Sequence, residues 1–131
     1  MHRVYAPDYL KDLSTGTAHT LLRALKPQSA AIILARDTKM AEPFSGEAFG
    51  LGNTQYRPWL RDTVWLLPEL QEPGVAMAHE LFHILANNGR HSDAPNNLMQ
   101  SRTSPAHLKL SGAQCQQARE QGLANGLLQQ P

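Results

Sequence analysis

The chain has 131 residues, 41% hydrophobic and 18% charged, a balance that suits one globular domain spanning residues 1–131 and excludes wholesale disorder. Twelve basic and eleven acidic side chains leave a formal net charge of +1. No block of like charges occurs, so neither nucleic acid nor a membrane surface is an expected partner, and a monomer is expected. A single cysteine, Cys115, excludes an internal disulfide and the paired-cysteine zinc motifs.

No apolar run is long enough to span a bilayer, and the first residues carry no signal-peptide core. The expectation is either a cytoplasmic protein or a trimmed mature domain from a secreted or periplasmic one. Val4 and Tyr5 suit a short strand. Thr17 to Lys26 reads as a helix with Leu21, Leu22 and Leu25 on one face and Pro27 behind it. Ala30 to Ala35 is an unbroken apolar run with two isoleucines, read as a buried central strand. Within the Gly- and Pro-rich stretch that follows, Glu47 to Gly52 suits a weak strand at a sheet edge, and Thr63 to Leu67 a strong one.

Pro73 to Asn87 reads as a helix, with Pro73 in its first turn and Asn87-Asn88-Gly89 as its stop. Its expected core side carries Ala78, Leu81 and Leu85. Arg90 to Ser111 reads as a loop, and Gly112 to Leu128 as a closing helix with Leu123, Leu127 and Leu128 available to dock. Together these elements predict an α+β fold: a small mixed sheet with an N-terminal helix, an active-site helix and a C-terminal helix.

The chemistry concentrates in His79-Glu80-Leu81-Phe82-His83. Four residues apart on a helix, His79 and His83 project from one flank, one turn above the other. Two imidazoles so stacked suit one zinc ion. Glu80 points beside the ion, where a general base for hydrolysis belongs. A catalytic site needs a third protein ligand. His91 lies eight residues past His83, and a sharp turn at Asn87–Gly89 would fold the chain back and let it approach. Asp93 and Glu120 compete for that place. His2, His19 and His107 are assigned no role, and Cys115 reads as a small helical residue with no activating motif around it.

The run from His79 to His91, followed by Asn97-Leu98-Met99, resembles the metzincin clan of zinc metallopeptidases. The clan's signature is His-Glu-x-x-His-x-x-Gly-x-x-His with a methionine-containing turn beneath the metal. In this sequence the third histidine comes two residues later than in the clan, and Ala86 stands at the glycine position. The resemblance implies a zincin-like fold and one catalytic zinc held by His79, His83 and His91. It further implies Glu80 as general base, Met99 as the apolar floor, and a protein or peptide substrate hydrolysed as by an endopeptidase. No tyrosine follows Met99 at the position where some subfamilies carry a fifth ligand. By the same resemblance, an extended substrate would lie along Ala48–Leu51, with Ser101 to Leu108 walling the side-chain pocket. The rival readings are a zinc hydrolase with a carboxylate third ligand such as Glu120, a non-catalytic zinc-binding interaction module, and a binding domain without metal.

Overall fold

The computed structural model describes residues 30–34, 46–49, 60–67 and 70–130. Three strands form one sheet: β1 (Ala31–Leu34), β2 (Gly46–Phe49) and β3 (Thr63–Leu66). Their order is β1-β3-β2, with β1 parallel and β2 antiparallel to β3. Two helices follow, α1 (Pro73–Leu85) and α2 (Gly112–Ala124). The α+β class, the mixed sheet, the helix that carries His79 and His83 and the C-terminal helix are therefore present. The expected strand at Val4–Tyr5 and helix at Thr17 to Lys26 lie outside the described residues.

Among the described residues the centre of the sheet is β3. The run from Ala30 was read as central, but β1 is an edge of the described sheet and its Ile32 is 44% exposed. β3 is buried along its whole length. Alternation sends Val64 and Leu66 to one face, where they join Ala76 and Ile84 of α1 in a single apolar cluster. On the opposite face Trp65 is also buried, and its indole N–H donates to the Thr63 hydroxyl at 2.9 Å. β2 takes the predicted edge position, and α1 packs across both β2 and β3.

Helix α1 starts at Pro73, whose missing N–H costs nothing in the first turn. Burial along it departs from the one-sided pattern expected of Ala78, Leu81 and Leu85. Ala78 is exposed, Leu81 and Leu85 are half-buried, and the buried set is Ala76, His79, Phe82, His83 and Ile84. The helix is covered on two sides rather than one. Ala76 and Ile84 face the sheet, while Phe82 and Ala86 pack with Leu98 and Met99 from the following loop. A wheel with one apolar stripe does not describe a helix sandwiched between a sheet and a loop.

Both helices end in the same turn. After α1, the Asn87 N–H donates to the Ile84 carbonyl at 3.1 Å and the Asn88 N–H to the His83 carbonyl at 3.0 Å. After α2, the Gly126 and Leu127 N–H groups reach the Leu123 and Gly122 carbonyls in the same pattern. This is the Schellman arrangement, which needs a left-handed residue just past the cap. Gly126 supplies it with φ 71° and Asn87 with φ 48°. The predicted stop is thus real, and Asn87 takes the strained step. Helix α2 likewise ends before the predicted Leu128, and Leu127 folds back onto the core cluster shared with the sheet.

Candidate metal centre

His79, His83 and His91 come together. The atoms each could offer to a metal all lie within 4.8 Å of one another, and they form the one such group of histidine, cysteine and acidic side chains found among the described residues. His79 and His83 are buried on α1, while His91 is exposed on the loop beyond it. The His91 ring centroid lies 5.3 Å from that of His79 and 5.1 Å from that of His83.

Asp93 and Glu120, the two rival ligands, do not join the group. Both are exposed, and Glu120 accepts a bond from Gln116 at 2.8 Å on the outer side of α2. His107 is engaged elsewhere, its Nδ1 lying 3.0 Å from the Arg102 carbonyl. His2 and His19 lie outside the described residues.

The two helical histidines are held by backbone carbonyls. His79 Nδ1 meets the Leu98 carbonyl oxygen at 2.7 Å, and His83 Nδ1 meets that of Asn88 at 2.7 Å. A carbonyl oxygen only accepts, so each Nδ1 carries the proton and donates it. Burial lowers the pKa of both rings below the usual histidine value, the carbonyl bonds partly offset this, and the neighbouring imidazoles lower it further. For His83 the result is a pKa of about 4. Both rings are therefore neutral at pH 7, and neither Nε2 carries a proton.

Those two Nε2 atoms stand 3.1 Å apart. Two lone pairs facing each other at this distance repel unless a cation lies between them. Nitrogens bound to one tetrahedral zinc stand about 3.3–3.4 Å apart, given Zn–N bonds of about 2.0–2.1 Å. The donor set, its tautomers and its spacing therefore fit a metal ion. Carbonyl partners on the distal nitrogens are also how metal-binding histidines are commonly oriented.

Local sequence explains how the loop delivers these partners. Asn88 has three roles: its N–H closes α1, its carbonyl orients His83, and its side-chain Oδ1 accepts the Arg90 N–H at 2.9 Å. The last bond is an asparagine turn that redirects the chain toward His91. Farther on, the Leu98 carbonyl orients His79 and the Met99 carbonyl accepts the Ser92 N–H at 2.7 Å, one residue past His91. The turn at Asn97–Met99 thus holds the surroundings of two histidines at once.

Met99 is 1% exposed and packs with Phe82, Ala86 and Leu98. Glu80 is half-buried beside His79 in the helix. Of the expected substrate strand, Ala48 falls in β2, while Gly50 and Leu51 lie outside the described residues. Leu108, at the end of the expected wall, is 65% exposed.

Sequence reasoning missed Asn97 and Gln114. They form a reciprocal amide pair, with Asn97 Nδ2 donating to Gln114 Oε1 at 2.8 Å and Gln114 Nε2 to Asn97 Oδ1 at 3.1 Å. Half of the signal was visible, since Ser111-x-x-Gln114 is a capping-box pattern and α2 does begin with that box. Nothing in the chain order shows that the same glutamine reaches back 17 residues.

Among the described residues no helix is long and apolar enough to cross a membrane. Comparison with protein-family models, curated proteins and solved structures gave no match for this chain. What is established is a small α+β fold with a three-histidine group that could hold a metal ion.

Proposed function

We propose that this protein is a zinc-dependent endopeptidase of metzincin type, with His79, His83 and His91 as ligands and Glu80 as general base. The observation that carries the reading is the pair of unprotonated Nε2 atoms at 3.1 Å, with the third imidazole beside them. Three imidazoles suit zinc among the common metals, and three protein ligands leave a position open, as catalytic zinc sites do and closed structural sites do not. Bound there, zinc supplies a Lewis acid that polarises a peptide carbonyl and acidifies water.

The chain's own groups do the rest. Glu80 takes a proton from the attacking water and returns it to the leaving amine nitrogen. A carboxylate next to the first ligand suits this purpose and is not needed as a ligand in a closed structural site. β2, with α1 packed across it, lies at an edge of the described sheet, where an extended peptide would add as a further strand. The stretch from Ser101 to Leu108, exposed at Ser101, Arg102, Pro105, Ala106 and Leu108, would border the substrate's side chains.

Metal analysis of purified protein followed by cleavage of a diverse peptide pool tests the reading. The expected result is one zinc per chain, with cleavage abolished by chelator and by Glu80→Gln while that variant keeps its zinc. Stoichiometric zinc with no peptide cleaved would favour the non-catalytic zinc module. Protein that takes up no metal would sink both.

A further inference from the structure

Helix α2 has little apolar surface with which to dock. Its 13 residues include one large aliphatic side chain, Leu123, and its one buried residue is Gly122. A Cβ at Gly122 would come within 2.8 Å of the Leu128 side chain and 3.3 Å of that of Leu85, so the absence of a side chain makes room for both the returning C-terminal segment and α1. Ala118 adds to the cluster around Phe82 and Met99. Much of what remains is done by two glutamines three residues apart, and so on one face.

Gln114 holds the turn that serves His79 and His91. Its two bonds to Asn97 use both ends of each amide, and Asn97 Oδ1 also accepts the Met99 N–H at 2.9 Å. Asn97 is 5% exposed, so bonds lost there are not readily replaced by water. The two carbonyls that follow are those of Leu98 on His79 and of Met99 on Ser92. Gln117 holds the other turn. Its Nε2 donates to the Ala86 carbonyl at 3.2 Å, at the cap of α1 and two residues before the Asn88 carbonyl that orients His83.

We infer that α2 is the template of the three-histidine centre, with Gln114 and Gln117 as positioning residues that hold the two histidine-orienting turns in register. The inference rests on the metal-site reading for what the histidines are held to do. Neither glutamine touches a ligand ring. Gln114 acts through the Asn97 side chain and Gln117 through the Ala86 carbonyl, one turn apiece.

The experiment compares wild type with Gln114→Ala, Gln114→Glu, Ser111→Ala and Gln116→Ala. It measures zinc affinity by competition titration, the visible spectrum of the cobalt form, and the His79 ring N–H by NMR in metal-free protein. Losing an outer partner of a metal ligand weakens metal binding about 10–100-fold. Acting one bond farther out, Gln114→Ala is expected near tenfold, with an altered cobalt spectrum and a His79 Nδ1–H lost to exchange. Gln114→Glu keeps the acceptor bonds to Ser111 and Asn97 and should recover part of the affinity. Ser111→Ala removes the helix cap but leaves the amide pair, so it should lower melting temperature with metal affinity nearly unchanged. Gln116→Ala should change neither. If Ser111→Ala weakens zinc as much as Gln114→Ala does, the effect is only helix stability and the inference is overturned. Unchanged affinity and an unchanged His79 signal in Gln114→Ala overturn it as well. Wild-type protein that binds no metal would sink the metal-site reading separately, because the metal-free NMR arm still decides whether Gln114 holds the ring.

Discussion

Replacing Asn87 by alanine and by glycine should reverse the usual order of those two residues. Both substitutions remove the asparagine side chain and whatever it contacts, so the difference between them isolates the backbone. At an ordinary position alanine is favoured over glycine by about 0.4–1 kcal/mol, because glycine leaves the unfolded chain more freedom. At φ 48° a Cβ meets the carbonyl oxygen and costs about 1–2 kcal/mol. The net expectation is Asn87→Gly more stable than Asn87→Ala by about 1 kcal/mol. For a domain of this size that is a difference of about 3–5 °C in melting temperature. Gly74, in the first turn of α1 with nothing within 4 Å of an added Cβ, is the internal control. There Gly74→Ala should be stabilising by about 0.5–1 kcal/mol. Thermal denaturation of the metal-free proteins reads both signs. The consequence for the site follows, since the Asn88 carbonyl on His83 depends on this turn, and zinc should bind Asn87→Ala more weakly than Asn87→Gly. Equal stability of the two, or alanine above glycine, would refute the reasoning.

Other expectations are more direct. In metal-free protein the His83 pKa, lowered from 6.5 to about 4, means that the unfolded chain binds more protons than the native one below neutrality. Its contribution is present above pH 6.5 and is lost as pH falls toward 4, by about 2–3 kcal/mol near pH 4.5. His79 moves the same way, so urea midpoints measured in chelator should fall across this window, and a flat profile would contradict the burial of neutral rings. Met99→Ala should cost about 2–5 kcal/mol by emptying the space between Phe82 and Leu98, and Met99→Leu less than about 1.5 kcal/mol. If Met99 serves only as packing, the leucine variant keeps wild-type zinc affinity. Zinc at a hundred times its dissociation constant should add about 2.7 kcal/mol to stability, and His91→Ala should abolish most of that gain while Glu120→Ala leaves it intact.

The parts of the site that depend on spacing along one helix were legible in the sequence. His79 and His83 stand one turn apart wherever a helix forms, and Pro73 with Asn87-Asn88 bounded that helix to within two residues. The approach of His91 was legible as a requirement, because a stop between His83 and His91 has to turn the chain. The groups that orient the rings were not. They are backbone carbonyls of Asn88 and Leu98, and every residue has a carbonyl, so side-chain identity carries no trace of which one is used. The central place of β3 in the described sheet was not legible for a related reason. An apolar run shows that a strand is largely buried, but which strand has neighbours on both sides is decided by pairing between distant segments.

The path from His83 to His91 is set by the same turn. The helical conformation extends through the cap, where Ala86 has φ −79° and ψ −7°. The left-handed step falls on Asn87. Asn88 then spends its side chain on the Arg90 N–H, a local turn that occupies two more residues before His91. The helix cap and the side-chain turn together span the eight residues from His83 to His91. The cost is that no flexible residue carries the left-handed step beside His83. In exchange, the residue that closes the helix is held by three hydrogen bonds, and one of them fixes the tautomer of a ligand. A glycine at position 88 would keep the two backbone bonds but not the third. Asn88→Gly should therefore leave His83 oriented while loosening His91, which predicts weaker zinc binding with the His83 ring N–H still protected.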